Sequence, residues 1–318
     1  LTSGTAAPKP KLLVLIGPTA VGKTKLSLEI ARHYGCEIIS GDSMQVYRGM
    51  DIGTAKASPQ EQALVPHHLI DIHNPDEPFS VAEFQERART LIADINGRGK
   101  LPFIVGGTGL YVESVCYEYR FSEVSADEGF REEMRLFALE FGDEALHARL
   151  GAIDRESAEK LHPNDHRRIV RALEVYHQTG RTLSEQQAGQ NKQSPYELCI
   201  IGLTMDRAML YERIEARIDA MLQAGLEEEV RRLLKEGCRP DMVSMQALGY
   251  KELVGYVNGD YSYDEAVYML KRDTRRFAKR QLSWFRHMKD IRWVDVTDQE
   301  NFCAHLDRLH AIIAEMLT

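Results

Sequence analysis

One stretch, Gly17-Pro18-Thr19-Ala20-Val21-Gly22-Lys23-Thr24, constrains this chain more than any other. It has the spacing G-x-x-x-x-G-K-T and follows the apolar run from Lys11 to Ile16. A short, nearly continuous apolar run is how a strand buried on both faces of a parallel sheet reads. Helical spacing then runs from about Thr24 to His33, with Gly35 placed as a C-terminal cap. Such a strand, turn and helix form a phosphate cradle. Gly17 and Gly22 let backbone N–H groups turn inward, and the helix N-terminus adds partial positive charge. Lys23 is placed to reach the outer phosphates, and the Thr24 hydroxyl to ligate Mg²⁺.

Successive strand–helix units extend this start. Glu37 to Asp42 reads as a short strand ending on a carboxylate. Pro66 to Asp71 is another strand candidate, and Leu101 to Val105 a buried strand ending in Gly106-Gly107-Thr108-Gly109. Ser80 to Asn96 has helical spacing, with Ser80 and Glu83 set for a capping box. Units of this kind imply a parallel sheet covered by helices, with the strand C-terminal ends on one rim. The phosphate loop, Asp42 and the glycine-rich turn at 106–109 should converge there.

After about Tyr117 the pattern changes. Residues 127–190 are polar and helix-rich, and an apolar strand returns at Leu198 to Leu203. The expected fold is α/β, a P-loop NTPase-like parallel sheet flanked by helices. Its core is residues 11–117 and 197–318, and 118–196 form a helical insertion domain. Residues 206–236 should give one or two helices, and 262–288 a long basic one.

Composition limits what such a chain does. With 318 residues, 43% hydrophobic and 28% charged, it suits one large or two medium globular domains. Cys36, Cys116, Cys199, Cys238 and Cys303 are scattered with no C-x-x-C pair, against a zinc ribbon or a disulfide framework. The N-terminal residues lack signal-peptide character, and no apolar run approaches membrane-span length. The expected setting is a reducing cytoplasm, without membrane attachment, and the default oligomeric state is a monomer.

A formal charge of −8 argues mildly against a polyanionic partner, but its distribution argues the other way. Lys271, Arg272, Arg275, Arg276, Lys279 and Arg280 repeat at i,i+4 and form two adjacent rows on one helical face. Asp273 is the acid within this stretch, and like charges stacked this way are mildly destabilising. The pattern reads either as a solvated face or as a nucleic-acid contact, and the second accounts for the cost. Trp284 and Phe285 at its end are placed to stack on bases or to join the core, with core favoured for Phe285.

Phosphate-loop enzymes usually hold Mg²⁺ on an acid at a second strand end, yet the strand at 101–105 ends in Gly-Gly-Thr. Asp42 is the early strand-end carboxylate. It suits either a supporting role toward Mg²⁺ or that of a general base on a nucleophile brought beside the phosphates. Adjacent His67 and His68 point to opposite faces of a strand, which disfavours one metal bound by both.

The motifs at 17–24, 41–56, 67–71, 106–111, 164–174, 213–217, 247–252 and 279–285, taken together, resemble the tRNA dimethylallyltransferase family. The resemblance runs from residue 11 to about 295. The chain ends without the zinc finger of eukaryotic relatives, as in the bacterial form. The resemblance implies transfer of a dimethylallyl group from dimethylallyl diphosphate to N6 of the adenosine immediately 3′ of the anticodon, with Mg²⁺ as cofactor and the anticodon stem-loop of tRNA as partner. It assigns Asp42 as general base, and Lys23 and Arg217 as stabilisers of the departing diphosphate. Thr19 and Thr108 would line the reaction channel. Contacts with tRNA would come from Asp42, Ser43, Met44 and Gln45, and from His166, Arg167, Arg168 and Ile169. Gly249, Tyr250 and Lys251 would add to them, as would Gln281, Trp284, Phe285 and Arg286. The competing readings are an adenylate isopentenyltransferase, which needs neither insert nor basic stripe, and a small-molecule kinase of the same loop type. A non-catalytic RNA-binding module is a further one, disfavoured by an intact Asp42 and Lys23.

Overall fold

A computed structural model describes residues 8–121, 124–188 and 193–317. In chain order, β1 (Lys11–Ile16) is followed by α1 (Lys23–Tyr34), β2 (Glu37–Ser40), α2 (Pro59–Leu64), β3 (His67–His68), α3 (Val81–Gly97), β4 (Pro102–Gly106) and α4 (Gly109–Cys116). Helices α5 (Glu128–Phe141), α6 (Asp143–Ile153), α7 (Arg155–Lys160), α8 (His166–Thr179) and α9 (Leu183–Ala188) come next. The chain continues as β5 (Glu197–Thr204), α10 (Arg207–Gln223), α11 (Leu226–Lys235), α12 (Tyr250–Asn258), α13 (Tyr263–Phe285), β6 (Ile291–Asp295) and α14 (Phe302–Leu317). It divides into two compact units: Leu1–Tyr117 with Ser194–Thr318, and Glu118–Gln193.

In the first unit the strands pair in parallel in the order β3-β2-β4-β1-β5-β6. Leu12 to Ile16 of β1 are wholly buried, as a strand with neighbours on both edges and helices on both faces requires. The chain leaves β1 toward β2 on one side and leaves β4 toward β5 on the other. Adjacent strands whose connections part in this way open a crevice at their C-terminal ends, where α/β sheets bind ligands. The loops after β1 and β4 flank that crevice. Helix α1 ends as expected on Gly35, which is left-handed at φ 64°.

Two expectations need correction, and one strand was not foreseen. The strand at Pro66 to Asp71 shrinks to His67–His68, because Leu69 (φ 60°) and Asp71 (φ 54°) turn the chain through left-handed conformations. The capping box on α3 is half made: Ser80 accepts the Glu83 N–H, while the Glu83 carboxylate accepts from Arg87 and lies 3.0 Å from His73 Nε2. Strand β6 was hidden by its charges. Arg292 and Asp295 are exposed, and the strand pairs with β5 along one edge.

At the foot of β2, Glu37 anchors the sheet electrostatically. Its side chain is 5% exposed and accepts hydrogen bonds from Arg98 and, at 2.8 Å, from Lys100, with His68 Nε2 also at 2.8 Å. The Arg98 hydrogen bond, joined by those of Lys100 and His68, holds the Glu37 carboxyl far below the ordinary range. A depressed folded-state pKa stabilises the fold above the unfolded value, and that stabilisation is lost as pH falls through and below about 4. Glu37→Ala is expected to lower stability by about 2 kcal/mol at neutral pH. In denaturant titrations the difference from the parent should shrink below about pH 4; a difference independent of pH would refute the assignment.

The second unit is built from α5 to α9 around Met134, Leu146, Leu150, Ile169 and Leu173. Glu174, fully buried on α8, accepts hydrogen bonds from Arg131, Arg171 and the Asp127 N–H, so its charge is paired and saturated.

Candidate active site

The phosphate loop is shaped by its glycines and held open by its neighbours. Gly22 caps α1 at φ 109°, a conformation that L side chains rarely adopt, and a Cβ on Gly17 would sit 3.0 Å from the Leu203 carbonyl oxygen. Ala20 takes a left-handed φ of 64° and accepts a 2.9 Å hydrogen bond from Arg213 Nε. The first N–H groups of α1 have no intrahelical acceptor and face the crevice. Lys23 folds back under the loop and donates to the Gly17 and Pro18 carbonyls, both at 2.8 Å. Burial, and then the charge of Arg217, pushes its ammonium down to about 7, with Asp42 opposing.

A cavity of about 590 Å³ opens beside the loop, lined by Lys23, Thr24, Asp42, His67, Arg213 and Arg217 among others. A second cavity, of about 310 Å³, is lined by Ser43, Met44, Thr108, Gly249, Lys251 and Arg280 among others. The two share Thr19, Ala20, Asp42, Thr54, Ala55, Arg217 and Phe277. One carboxylate and two threonines therefore stand where a cationic cavity meets a more apolar one.

Asp42 is fixed by the backbone: its Oδ1 accepts the Met44 N–H at 2.8 Å. Burial raises its carboxyl above the ordinary range, against the opposing pull of that N–H and of Lys23. Arg217 makes no hydrogen bond or ion pair among the described residues, which leaves its donors directed to the cavities. Burial is also the main force lowering its pKa. Ser43 N–H donates to Thr108 Oγ1 at 3.2 Å, tying the segment after β2 to the turn after β4. Gln45 accepts from Ser40 Oγ at 2.8 Å and donates to the Thr54 and Ala55 carbonyls, fixing the opposite wall.

The remaining candidates divide by exposure. Arg167 and Arg168 are exposed at the start of α8, while His166 lies 2.8 Å from Asp143. Trp284 and Arg286 are exposed near the end of α13, and Lys251 and Gly249 line the second cavity. Ile169, Tyr250 and Phe285 are wholly buried, so their side chains pack the two cores and do not face a partner. Gln281 is 6% exposed, and both ends of its amide are engaged within the chain. These four fall on the inner stripes of their helices, as helical periodicity within each motif requires.

The basic face of α13 is also less free than its sequence suggested. Lys271 pairs with Asp219 at 2.6 Å and Arg275 with Glu215, both acids lying on α10. Arg272 and Arg276 share Asp273. Lys279, Arg280 and Arg286 are exposed with no ion pair among the described residues.

Two site residues had no assigned role in the sequence. Arg213 stands one turn before Arg217 on α10, a spacing that puts both on one face. Glu229 of α11 is buried and accepts the N–H groups of Asp51, Ile52 and Gly53 at 3.0–3.2 Å, and the Tyr250 hydroxyl at 2.5 Å. It holds the loop whose next residues, Thr54 and Ala55, line both cavities. Helical spacing puts it on the buried stripe of α11 with Leu226, Val230 and Leu233, which is the local sign that separates it from Glu227 and Glu228.

Comparison with known proteins agrees with this arrangement. The family model described as IPP transferase matches residues 45–288, and one described as isopentenyl transferase matches residues 10–71. A tRNA dimethylallyltransferase of Geobacillus thermodenitrificans is 54% identical over 307 residues, covering 96% of this chain and 97% of that protein. One from Bacillus pumilus is 53% identical over 309 residues, 97% of each. Among solved structures, the full-length tRNA isopentenylpyrophosphate transferase of Bacillus halodurans superposes with a TM-score of 0.74 at 48% identity, covering 97% of both chains. A eukaryotic dimethylallyltransferase solved acting on tRNA superposes at 0.81 and 28% identity, covering 94% of this chain and 77% of that one. A match across most of the sequence, with relatives more than half identical over nearly its whole length, means that the chain belongs to the IPP transferase, or tRNA dimethylallyltransferase, family.

Proposed function

We propose that this chain transfers the dimethylallyl group of dimethylallyl diphosphate to N6 of the adenosine immediately 3′ of the anticodon in tRNA. The observation that carries the reading is the position of Asp42 at the meeting of the two cavities. The diphosphate would lie against the loop amides, Lys23 and Arg217. The adenine would enter from the cavity lined by Ser43, Met44 and Thr108, after leaving its stack. N6 attacks C1 of the donor, and the C1–O bond breaks with its electron pair passing to diphosphate. Asp42 takes the proton that N6 sheds. The N6 lone pair is delocalised into the purine, so a base held ready beside it matters. The same carboxylate would offset positive charge developing on the allylic carbon, while Lys23 and Arg217 meet the negative charge building on the leaving group. No water needs activating, which accounts for the missing acid after β4.

Mg²⁺ fits this site in a limited way. Among the described residues no group of three or more His, Cys, Asp or Glu side chains converges on a metal position. The Thr24 hydroxyl lines the cavity next to Lys23 and is a hard oxygen ligand. An ion that keeps waters and takes phosphate oxygens suits such a donor set. When bound, Mg²⁺ would neutralise charge on the diphosphate.

Exposed Arg167 and Arg168, Lys279, Arg280, Trp284 and Arg286 are our candidates for RNA contact. No helix among the described residues is long and apolar enough to cross a membrane. We read the enzyme as cytoplasmic and, by default, as a monomer. Double replacement Lys279→Ala with Arg280→Ala should weaken tRNA binding and reduce the slope of log K against log salt by about 1 to 2. Equal slopes in variant and parent would remove these residues from the interface. The reading as a whole is tested by incubating the protein with unmodified tRNA and labelled dimethylallyl diphosphate, followed by nucleoside analysis. Label on adenosine next to the anticodon supports it. Label on free adenine nucleotides in preference to tRNA would favour the adenylate enzyme.

A further inference from the structure

Helix α13 has two faces with different work. Lys279 and Arg280 are exposed, while Ala278, Gln281, Phe285 and Met288, on and just beyond it, are buried. On that inner face Gln281 spans the two loops that flank the crevice. Its Oε1 accepts the Thr19 N–H at 2.9 Å, and its Nε2 donates to the Gly107 carbonyl at 2.9 Å. The amide orientation is forced, because Thr19 presents a donor and Gly107 an acceptor. The approach is close: a Cβ on Gly107 would lie 2.3 Å from Gln281 Nε2, and one on Gly109 would lie 2.3 Å from Trp284 Cδ1. Two glycines of the 106–109 turn are therefore needed so that this helix can seat against it.

We propose that Gln281 is a positioning residue, which fixes the first turn of the phosphate loop relative to the β4 turn and so sets Thr19 beside Asp42 where the cavities meet. This rests on the prenyl-transfer reading of the site. It differs from a direct RNA contact, for which a buried and saturated amide is poorly suited. At neutral pH the amide supplies both an acceptor and a donor here. Glutamate keeps the acceptor but opposes a carboxylate to the Gly107 carbonyl, and methionine keeps the volume with neither.

The test compares Gln281→Met and Gln281→Glu with the parent in single-turnover prenyl transfer at saturating donor and tRNA, alongside tRNA binding. For Gln281→Met we expect a rate at least about 10-fold lower, with the tRNA Kd within about twofold of the parent. A rate within twofold of the parent overturns the proposal, as does a tRNA Kd weakened by about 10-fold or more, which would mark a binding role. For Gln281→Glu, the ratio of its rate to the parent rate should rise as pH falls, because a protonated carboxyl again donates to Gly107. A ratio flat with pH overturns the proposal even if Gln281→Met fails to fold. Failure of the underlying reading would look different, since the parent itself would then leave no prenyl group on tRNA.

Discussion

Asp42→Asn is expected to lower the single-turnover rate of prenyl transfer by about 100-fold or more, with tRNA binding retained. Asparagine has the same shape, and its side-chain oxygen can still accept the Met44 N–H that fixes the native carboxylate. What is removed is the proton acceptor and its charge. The pH dependence carries a second signature. Burial raises the Asp42 carboxyl above the usual aspartate range, so the acid limb of the parent kcat/KM profile should lie above that range. The limb should vanish in the variant. A variant that turns over bound complex at the parental rate, or that fails only in tRNA binding, would remove Asp42 from the role of base.

Lys23→Ala should weaken donor binding about 30-fold or more and affect tRNA binding far less. The free lysine lies at about 7, lowered by burial and by Arg217. A bound diphosphate favours the charged form, so donor binding takes up a proton whenever the free lysine is neutral. Donor affinity in the parent should therefore be highest below pH 7 and fall as pH rises through about 7. The alanine variant should lose that dependence. Isothermal titration with a non-reactive prenyl diphosphate analogue in buffers of different ionisation enthalpy measures the proton uptake directly. An unchanged donor constant in Lys23→Ala, or uptake that persists in it, would count against the loop as the diphosphate site.

Much of the candidate site was legible because it is local. A phosphate loop depends on consecutive residues: two glycines, a lysine and a hydroxyl at the mouth of a helix. Asp42 was legible because a strand of four buried residues ends just before it. The tRNA-contact segments were less so. A motif names a run of residues, while a helix shows only part of that run to solvent, which is why Ile169, Tyr250, Gln281 and Phe285 turned inward. The charge on α13 was misjudged for a related reason. Its balancing acids, Asp219 and Glu215, lie 52 and 60 residues before their partners, on α10, beyond any local count.

The chain's order of apolar runs, glycines and caps determined by itself that this protein would build a parallel sheet with a phosphate loop on its rim, because those choices are set by backbone sterics and burial within a few residues. Tertiary structure alone decided which partners complete the site. Arg213 reaches Ala20, Glu229 gathers the 51–53 amides, and Gln281 joins Thr19 to Gly107 across 174 or more residues of chain. Each is a buried polar group whose hydrogen-bonding needs are met far along the sequence, and desolvation, which makes an unmet donor or acceptor costly, gives no local sign of where its partner will be found.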